Sequence, residues 1–352
     1  MGITGGAARI CRLGTGALAA ALALALVPGL AGLPADATAA ASGATSINLG
    51  GGVGYGVAVD PVTDTAYVAV IPRTSAQSPS VAVIDLATDA ITATVPVGPA
   101  PKALAVDPDT NVVYVMTSDD DSVSVISGAT DTVTATISLG ARTDDSTYGG
   151  MAVDPATNTI YAGVSALSGG GGVAVINGAT STLTTTISTG AGLPEAVDVD
   201  PATDTVYAGY YVSSGVESPS VYVISGATNS VTGTIDTPAS LEDLAVDPVS
   251  GLLYTANYNE TVTGYSVATD AATGTVDIGG LSVGLAVDPE TGTVFATPEI
   301  DVENVTLISE ADNTITGTIA VTSPTRIAVD PDTDTVVVLT DAADATVIPL
   351  QS

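Results

Sequence analysis

An Asp-Pro dipeptide recurs seven times in phase along this chain, and that repetition limits the fold more than any other property. Its aspartates are Asp60, Asp107, Asp154, Asp200, Asp247, Asp288 and Asp330, spaced 47, 47, 46, 47, 41 and 42 residues apart. Matching segments surround them, such as GVAVDPVTDTAYVAV, ALAVDPDTNVVYVMT and RIAVDPDTDTVVVLT. Each repeat reads as four short strands. Strand A is the apolar run before Asp-Pro. The Asp-Pro-x-Thr-Asp/Asn/Gly segment is a turn, because Pro fixes φ and the Asp or Thr side chain bonds nearby amides. Strand B follows, as in VVYVMT. Strand C alternates with period two, as in SVSVIS, and a Gly-Ala-Thr-Asp turn leads into a β-branched strand D, TVTATISL. Four-stranded repeats of roughly 40–45 residues mark propeller blades. The expected fold is all-β: a seven-bladed β-propeller of four-stranded antiparallel blades over residues 44–352.

A propeller must close its ring. The last repeat supplies strands A, B and a C-like run, Ala345 to Leu350, and then the sequence ends. The missing strand is found at the other end: Ala44-Thr45-Ser46-Ile47-Asn48-Leu49-Gly50 resembles the D strand Ala135–Gly140. Residues 44–50 are therefore predicted to pair in blade seven and remove two open sheet edges. Residues 1–41 differ from the rest. Arg9 and Arg12 precede an apolar run from Leu13 to Leu33, broken by Pro28, and Ala37-Thr38-Ala39 forms a small-x-small site. This pattern is that of a secretory signal peptide. Its removal takes away Cys11, the only Cys, and predicts a disulfide-free, monomeric chain outside the cell or at its envelope, not inserted in the membrane.

With these motifs in place, residues 44–350 resemble the YVTN family of β-propellers, found in surface-layer and other exported prokaryotic proteins. The tetrapeptide Tyr254-Thr255-Ala256-Asn257 stands nearest that family's signature, and Val337-Val338-Leu339-Thr340 furthest from it. The resemblance implies an exported propeller scaffold. Related propellers include enzyme domains of amine dehydrogenases and nitrous oxide reductase, whose activities rest on cofactors or copper ligands that this chain does not supply.

Composition limits the chemistry. The chain has no His, so a His-based triad, a His-ligated zinc or copper site and a proximal-His haem are excluded. Six Lys and Arg against 38 Asp and Glu give a net charge of -32, which loss of residues 1–41 changes to -33. Such a surface repels nucleic-acid phosphates and anionic membranes. Much of the acidity is expected in solvated turns. The recurring valines of strand A (Val59 to Val329) form one inward column, and the strand B column Tyr67, Tyr114, Tyr161, Tyr207, Tyr254 and Phe295, with Val337 as the departure, reads as packing between blades.

Strand alternation puts A–B and C–D turns on one face and B–C loops and D–A crossings on the other. The regular turns occupy the first face. The variable segments, among them Pro72–Ser80, Arg142–Tyr148, Ser165–Gly172 and Tyr211–Ser220, occupy the second, where binding is expected on a rigid scaffold. All four cations of the mature chain map there: Arg73, Lys102, Arg142 and Arg326. So do Tyr55, Tyr148, Tyr210, Tyr211 and Tyr258. Tyrosine supplies contact area and Arg or Lys fixes an anionic group, so these nine are candidates for binding a protein, glycan or small ligand.

A second set lies at the channel mouth. Glu195 and Asp198 belong to strand A of blade four, and Glu242 and Asp243 to strand A of blade five. Asp198 interrupts a column otherwise held by Ala58, Ala105, Ala152, Ala245, Ala286 and Ala328. Oxygens from adjacent blades suit Ca²⁺ or Mg²⁺, which gives the alternative of a divalent-metal-dependent hydrolase, lactonase or lyase. Pairing with Arg326 or Lys102 is the plainer role for the same acids. Asp119-Asp120-Asp121 lacks the ligand alternation of a calcium loop and reads as a hairpin tip. The Gly169–Gly172 run reads as a flexible loop with no phosphate-binding context. No organic cofactor and no catalytic nucleophile is indicated.

Overall fold

The computed structural model describes residues 38–39, 43–140, 150–165, 170–190, 194–210, 220–299 and 302–350. Seven antiparallel sheets follow one another around an axis, each with the strand order A-B-C-D. The A strands are Gly52–Asp60, Pro101–Asp107, Met151–Asp154, Pro194–Asp200, Leu241–Asp247, Leu281–Asp288 and Pro324–Asp330. Each A strand contacts the A strand of the next blade, and the seventh contacts the first, so A is innermost and the ring is closed. Closure occurs as the sequence predicts. Thr45–Asn48 pairs antiparallel with Asp344–Pro349, with Thr45 opposite Val347 and Ile47 opposite Ala345. Of the leader, only Thr38–Ala39 is described. It lies parallel to Thr318–Ile319 on the outer edge of blade six; the rest of the expected signal peptide lies outside the described residues.

The apolar core is divided among the seams. Tyr67 packs with Val113, Val115 and Ile126 of the next blade. Tyr114 packs with Ile160 and Ile176, Tyr161 with Val206 and Ile224, and Tyr207 with Leu253 and Tyr265. Tyr254 packs with Val294 and Ile308, and Phe295 with Val336 and Val338. Val337, the aliphatic departure from the column, packs with Ala66 and Val68 of blade one. Every member of the column is buried, so its expected interblade role holds at each of the seven seams.

The Asp-Pro turn has a physical reason at each position. All seven Asp-Pro aspartates accept the amide two residues on, for example Val62 N to Asp60 Oδ1 at 3.0 Å and Ala156 N to Asp154 Oδ1 at 2.9 Å. They are also buried, at 3% exposure or less. This corrects the expectation of solvated acidity: these carboxylates are closed into the turn by that amide bond and covered by the fold. The fifth position is left-handed at Asp64, Asn111, Asn158, Asp204, Gly251, Gly292 and Asp334, with φ between 50° and 68°. Asp, Asn and Gly tolerate that region best, hence the Asp/Asn/Gly choice.

Two of these turns are built in reciprocal fashion. In blade two, a Cβ on Gly128 collides with the Asn111 side chain and lies 2.7 Å from the Tyr67 hydroxyl. Glycine is therefore required opposite asparagine. In blade six the pair is exchanged: Gly292 holds the asparagine position and Glu310 the glycine position. Glu310 is buried at 9% exposure and hydrogen-bonds to the Asp247 side chain across the seam. Burial and Asp247 push its carboxyl up to about 8.

Candidate functional site

Among the described residues, strand A carries a register irregularity near its start in six blades, between Gly54/Gly56, Pro101/Leu104, Pro194/Ala196, Leu241/Asp243, Ser282/Gly284 and Pro324/Ile327. A bulge adds a residue to one strand and re-aims its side chains. The bulged segments carry Tyr55, Lys102, Glu195, Glu242 with Asp243, and Arg326. The sequence is least repetitive where the backbone is least regular.

These residues meet in one place. A cavity of about 410 Å³ at the axis is lined by Tyr55, Lys102, Glu195, Asp198, Asp243 and Arg326, over a floor of small and aliphatic strand A residues such as Ala245, Ala286 and Val287. Six of the thirteen side chains singled out from sequence thus share a wall. Glu242 does not line the cavity, but its charge acts on Glu195.

The polar groups are organised across blades. Asp198 accepts its neighbour Val199 N at 2.9 Å and Val246 N of blade five at 2.8 Å. Asp243 accepts Leu244 N at 2.9 Å and Leu285 N of blade six at 2.9 Å. Arg326 of blade seven reaches back over blade six. Its Nη1 donates to the Val283 carbonyl and stands 3.8 Å from Asp243 Oδ2. The innermost strands have one edge without a sheet partner, so these side chains satisfy backbone groups that water otherwise would. Sequence patterns carry no signal for these contacts, because the Val246 and Leu285 amides and the Val283 carbonyl take part in them through the main chain.

Electrostatics separates the acids. Burial raises the Asp198 carboxyl to about 6, against the lowering effect of its two amides. Burial also raises Asp243, while Arg326 and the amides pull it down. Burial and the charge of Glu242 push Glu195 up to about 8, with Arg326 opposing. Glu195 is nine-tenths buried, and no hydrogen bond from a described residue reaches it. Among the described residues no group of three acids converges as a metal-holding set. The four acids expected to form one, Glu195, Asp198, Glu242 and Asp243, are not brought together in that way, because Asp198 and Asp243 are turned onto backbone amides.

The remaining candidates disperse. Arg73 Nη2 donates to the Asp341 carbonyl at 2.8 Å, joining the B–C loops of blades one and seven. Tyr258 is exposed on the variable face. Tyr210 is not exposed on that face: it is buried at 2% exposure, stacks edge-on against Tyr222 with centroids 5.1 Å apart, and donates to Thr189 Oγ1. An aromatic ring at the end of strand B closes the seam core, which is why it departs from the expected surface role. Arg142, Tyr148 and Tyr211 lie outside the described residues. Asp120 accepts Thr117 Oγ1 at 2.6 Å and Ser122 Oγ at 3.1 Å, fitting a self-contained hairpin tip. Gly171 and Gly172 belong to strand C of blade three, Gly171–Asn177, rather than to a loop.

No protein-family model matches the chain, and no curated protein matches it in sequence. Solved structures do share its architecture. A chain of Kuenenia stuttgartiensis hydrazine synthase is similar with a TM-score of 0.72 and 19% identity, over 84% of this chain and 95% of that one. A chain of the mitotic checkpoint complex is similar with a TM-score of 0.73 and 14% identity, over 95% and 99%. At such identities the likeness is one of fold, and it identifies the chain as a seven-bladed β-propeller.

Proposed function

We propose that this chain is an exported, non-enzymatic binding propeller of YVTN type that takes a small ligand at the mouth of its axial channel. One observation carries the reading. The side chains that break the repeat, Tyr55, Lys102, Glu195, Asp198, Asp243 and Arg326, line a single cavity instead of scattering round the ring. Breaks in an otherwise consistent pattern tend to mark function, and a cavity of about 410 Å³ falls in the range of small-molecule sites. The missing histidines and the engagement of Asp198 and Asp243 with backbone amides favour binding over catalysis. The exported location rests on the leader pattern of residues 1–41.

The test is a screen of a mixed metabolite pool against the chain lacking residues 1–41, with bound species released and identified by mass spectrometry. A Lys102→Ala/Glu195→Gln double variant serves as control. Retention of a species by the wild type and its loss in a double variant of unchanged melting temperature supports the reading. Equal retention by both proteins, or none by either, overturns it.

A further inference from the structure

Among the cavity acids, Glu195 alone accepts no hydrogen bond from a described residue, and the charge of Arg326 offsets its burial only in part. Asp198 and Asp243 each hold an amide of the next blade, and Arg326 is engaged by Val283 and Asp243. Glu195 is nine-tenths buried at the cavity wall, and the charge of Glu242 adds to its own. A carboxyl so largely withdrawn from water, with no hydrogen bond from a described residue, gains from a partner in the cavity. A neutral sugar offers its ionised form a hydroxyl but no charge. An anion placed against Glu195 meets that carboxyl and the added negative charge of Glu242. The other polar stretch of the wall, Tyr55 and Lys102, comes from blades one and two and carries the opposite sign.

We propose that Glu195 is the counter-charge for the ammonium group of a small ligand whose acidic end lies toward Lys102, so that the mouth takes a zwitterion of amino-acid type. This rests on the binding reading above and names its ligand class. A proton is linked to the event. The Glu195 carboxyl sits at about 8 in the protein alone, so near neutral pH it is mostly protonated. An ammonium group favours the carboxylate, so binding releases that proton to solvent. Affinity then rises with pH up to about 8, while the ligand's amine, with an ordinary value near 10, stays charged.

Calorimetry on the chain lacking residues 1–41, with three probes of one length, tests this: 6-aminohexanoate, hexylamine and hexanoate. The expected result is that 6-aminohexanoate binds at least ~10-fold more tightly than hexanoate. Buffers of different ionisation enthalpy should report proton release near pH 7. Glu195→Gln should weaken 6-aminohexanoate by ~10-fold or more and abolish the proton release at unchanged melting temperature. Lys102→Met should weaken 6-aminohexanoate but not hexylamine. Hexanoate binding as well as 6-aminohexanoate, or an unaltered Glu195→Gln profile, overturns the proposal. If none of the probes binds while the metabolite screen still loads the mouth, the ammonium class falls and the binding reading stands. If the screen is empty too, both fall.

Discussion

Asp198 Oδ2 accepts the backbone amide of Val246 at 2.8 Å, across the seam between blades four and five. Asp243 does the same for Leu285 one blade further on, at 2.9 Å. Two adjacent seams are therefore pinned at the axis by side chains that the repeat otherwise lacks. Asp198→Ala leaves the Val246 amide without its partner and should destabilise by ~1–3 kcal/mol in urea unfolding. Asp198→Asn keeps an acceptor oxygen and should cost less. Equal costs for the two variants would remove the hydrogen bond from the explanation.

Ca²⁺ and Mg²⁺ should leave the protein unmoved. With the Asp198 and Asp243 carboxylates on amides, millimolar metal should shift the melting temperature by less than about 1 °C, since a ligand that does not bind the native state cannot stabilise it. A saturable rise in melting temperature, absent from Asp198→Asn, would restore the metal reading.

Glu310 makes stability depend on pH. In the fold its carboxyl is raised to about 8, whereas in the unfolded chain it returns to the ordinary carboxylate range. The folded state thus binds a proton that the unfolded state releases. The resulting stabilisation is complete below the ordinary range, shrinks as pH rises, and is gone above about 8. Each proton so held gives a slope of about 1.4 kcal/mol per pH unit. Glu310→Gln should flatten the curve between pH 6 and 8 by close to one proton, read from urea unfolding at several pH values. An unchanged slope would show that Glu310 is ionised in the fold.

The exchange of glycine between Asn111/Gly128 and Gly292/Glu310 predicts coupling. Gly128→Val should destabilise by ~1–3 kcal/mol through overpacking. Adding Asn111→Gly vacates the space and should recover a good part of that loss. A double-mutant cycle should return an interaction energy of ~1 kcal/mol or more; strict additivity would deny the reciprocal packing.

The N-terminal strand should be needed for closure. Ile47 is buried at 7% exposure in the seam core with Val337 and Val347. Ile47→Asp places an unpaired charge there and should lower stability by ~3 kcal/mol or more. Size-exclusion chromatography should also show self-association through the exposed edge of blade seven. A monomeric variant of wild-type stability would mean that the ring closes without this strand.

The fold was legible because the repeat states it seven times, and because closure needed a strand that residues 44–50 visibly supply. The site was legible only through departures. Asp198 stood out against a column of alanines, and Lys102, Glu195 and Arg326 against a chain poor in such placements. Of what these departures touch, the approach of Arg326 to Asp243 was legible as a pairing of opposite charges, but the amides of Val246 and Leu285 and the carbonyl of Val283 were not. Main-chain groups exist at every residue and leave no mark in composition. Tyr210 misled for a related reason: it falls outside the strand B column, and only the packing of Tyr222 beside it shows that the seam core extends that far. The buried Asp-Pro aspartates misled because a turn sequence does not reveal what covers the turn.

The pairing of Thr45–Asn48 with Asp344–Pro349 brings the beginning and end of the domain into register on neighbouring strands. The ring itself is indifferent to where the chain is opened, because each seam has its own core and all are built alike. A circular permutant that joins these ends by a short linker and opens at the Asp119–Asp121 hairpin should regain the same propeller. One opened inside strand B, where the column aromatic stands, should not.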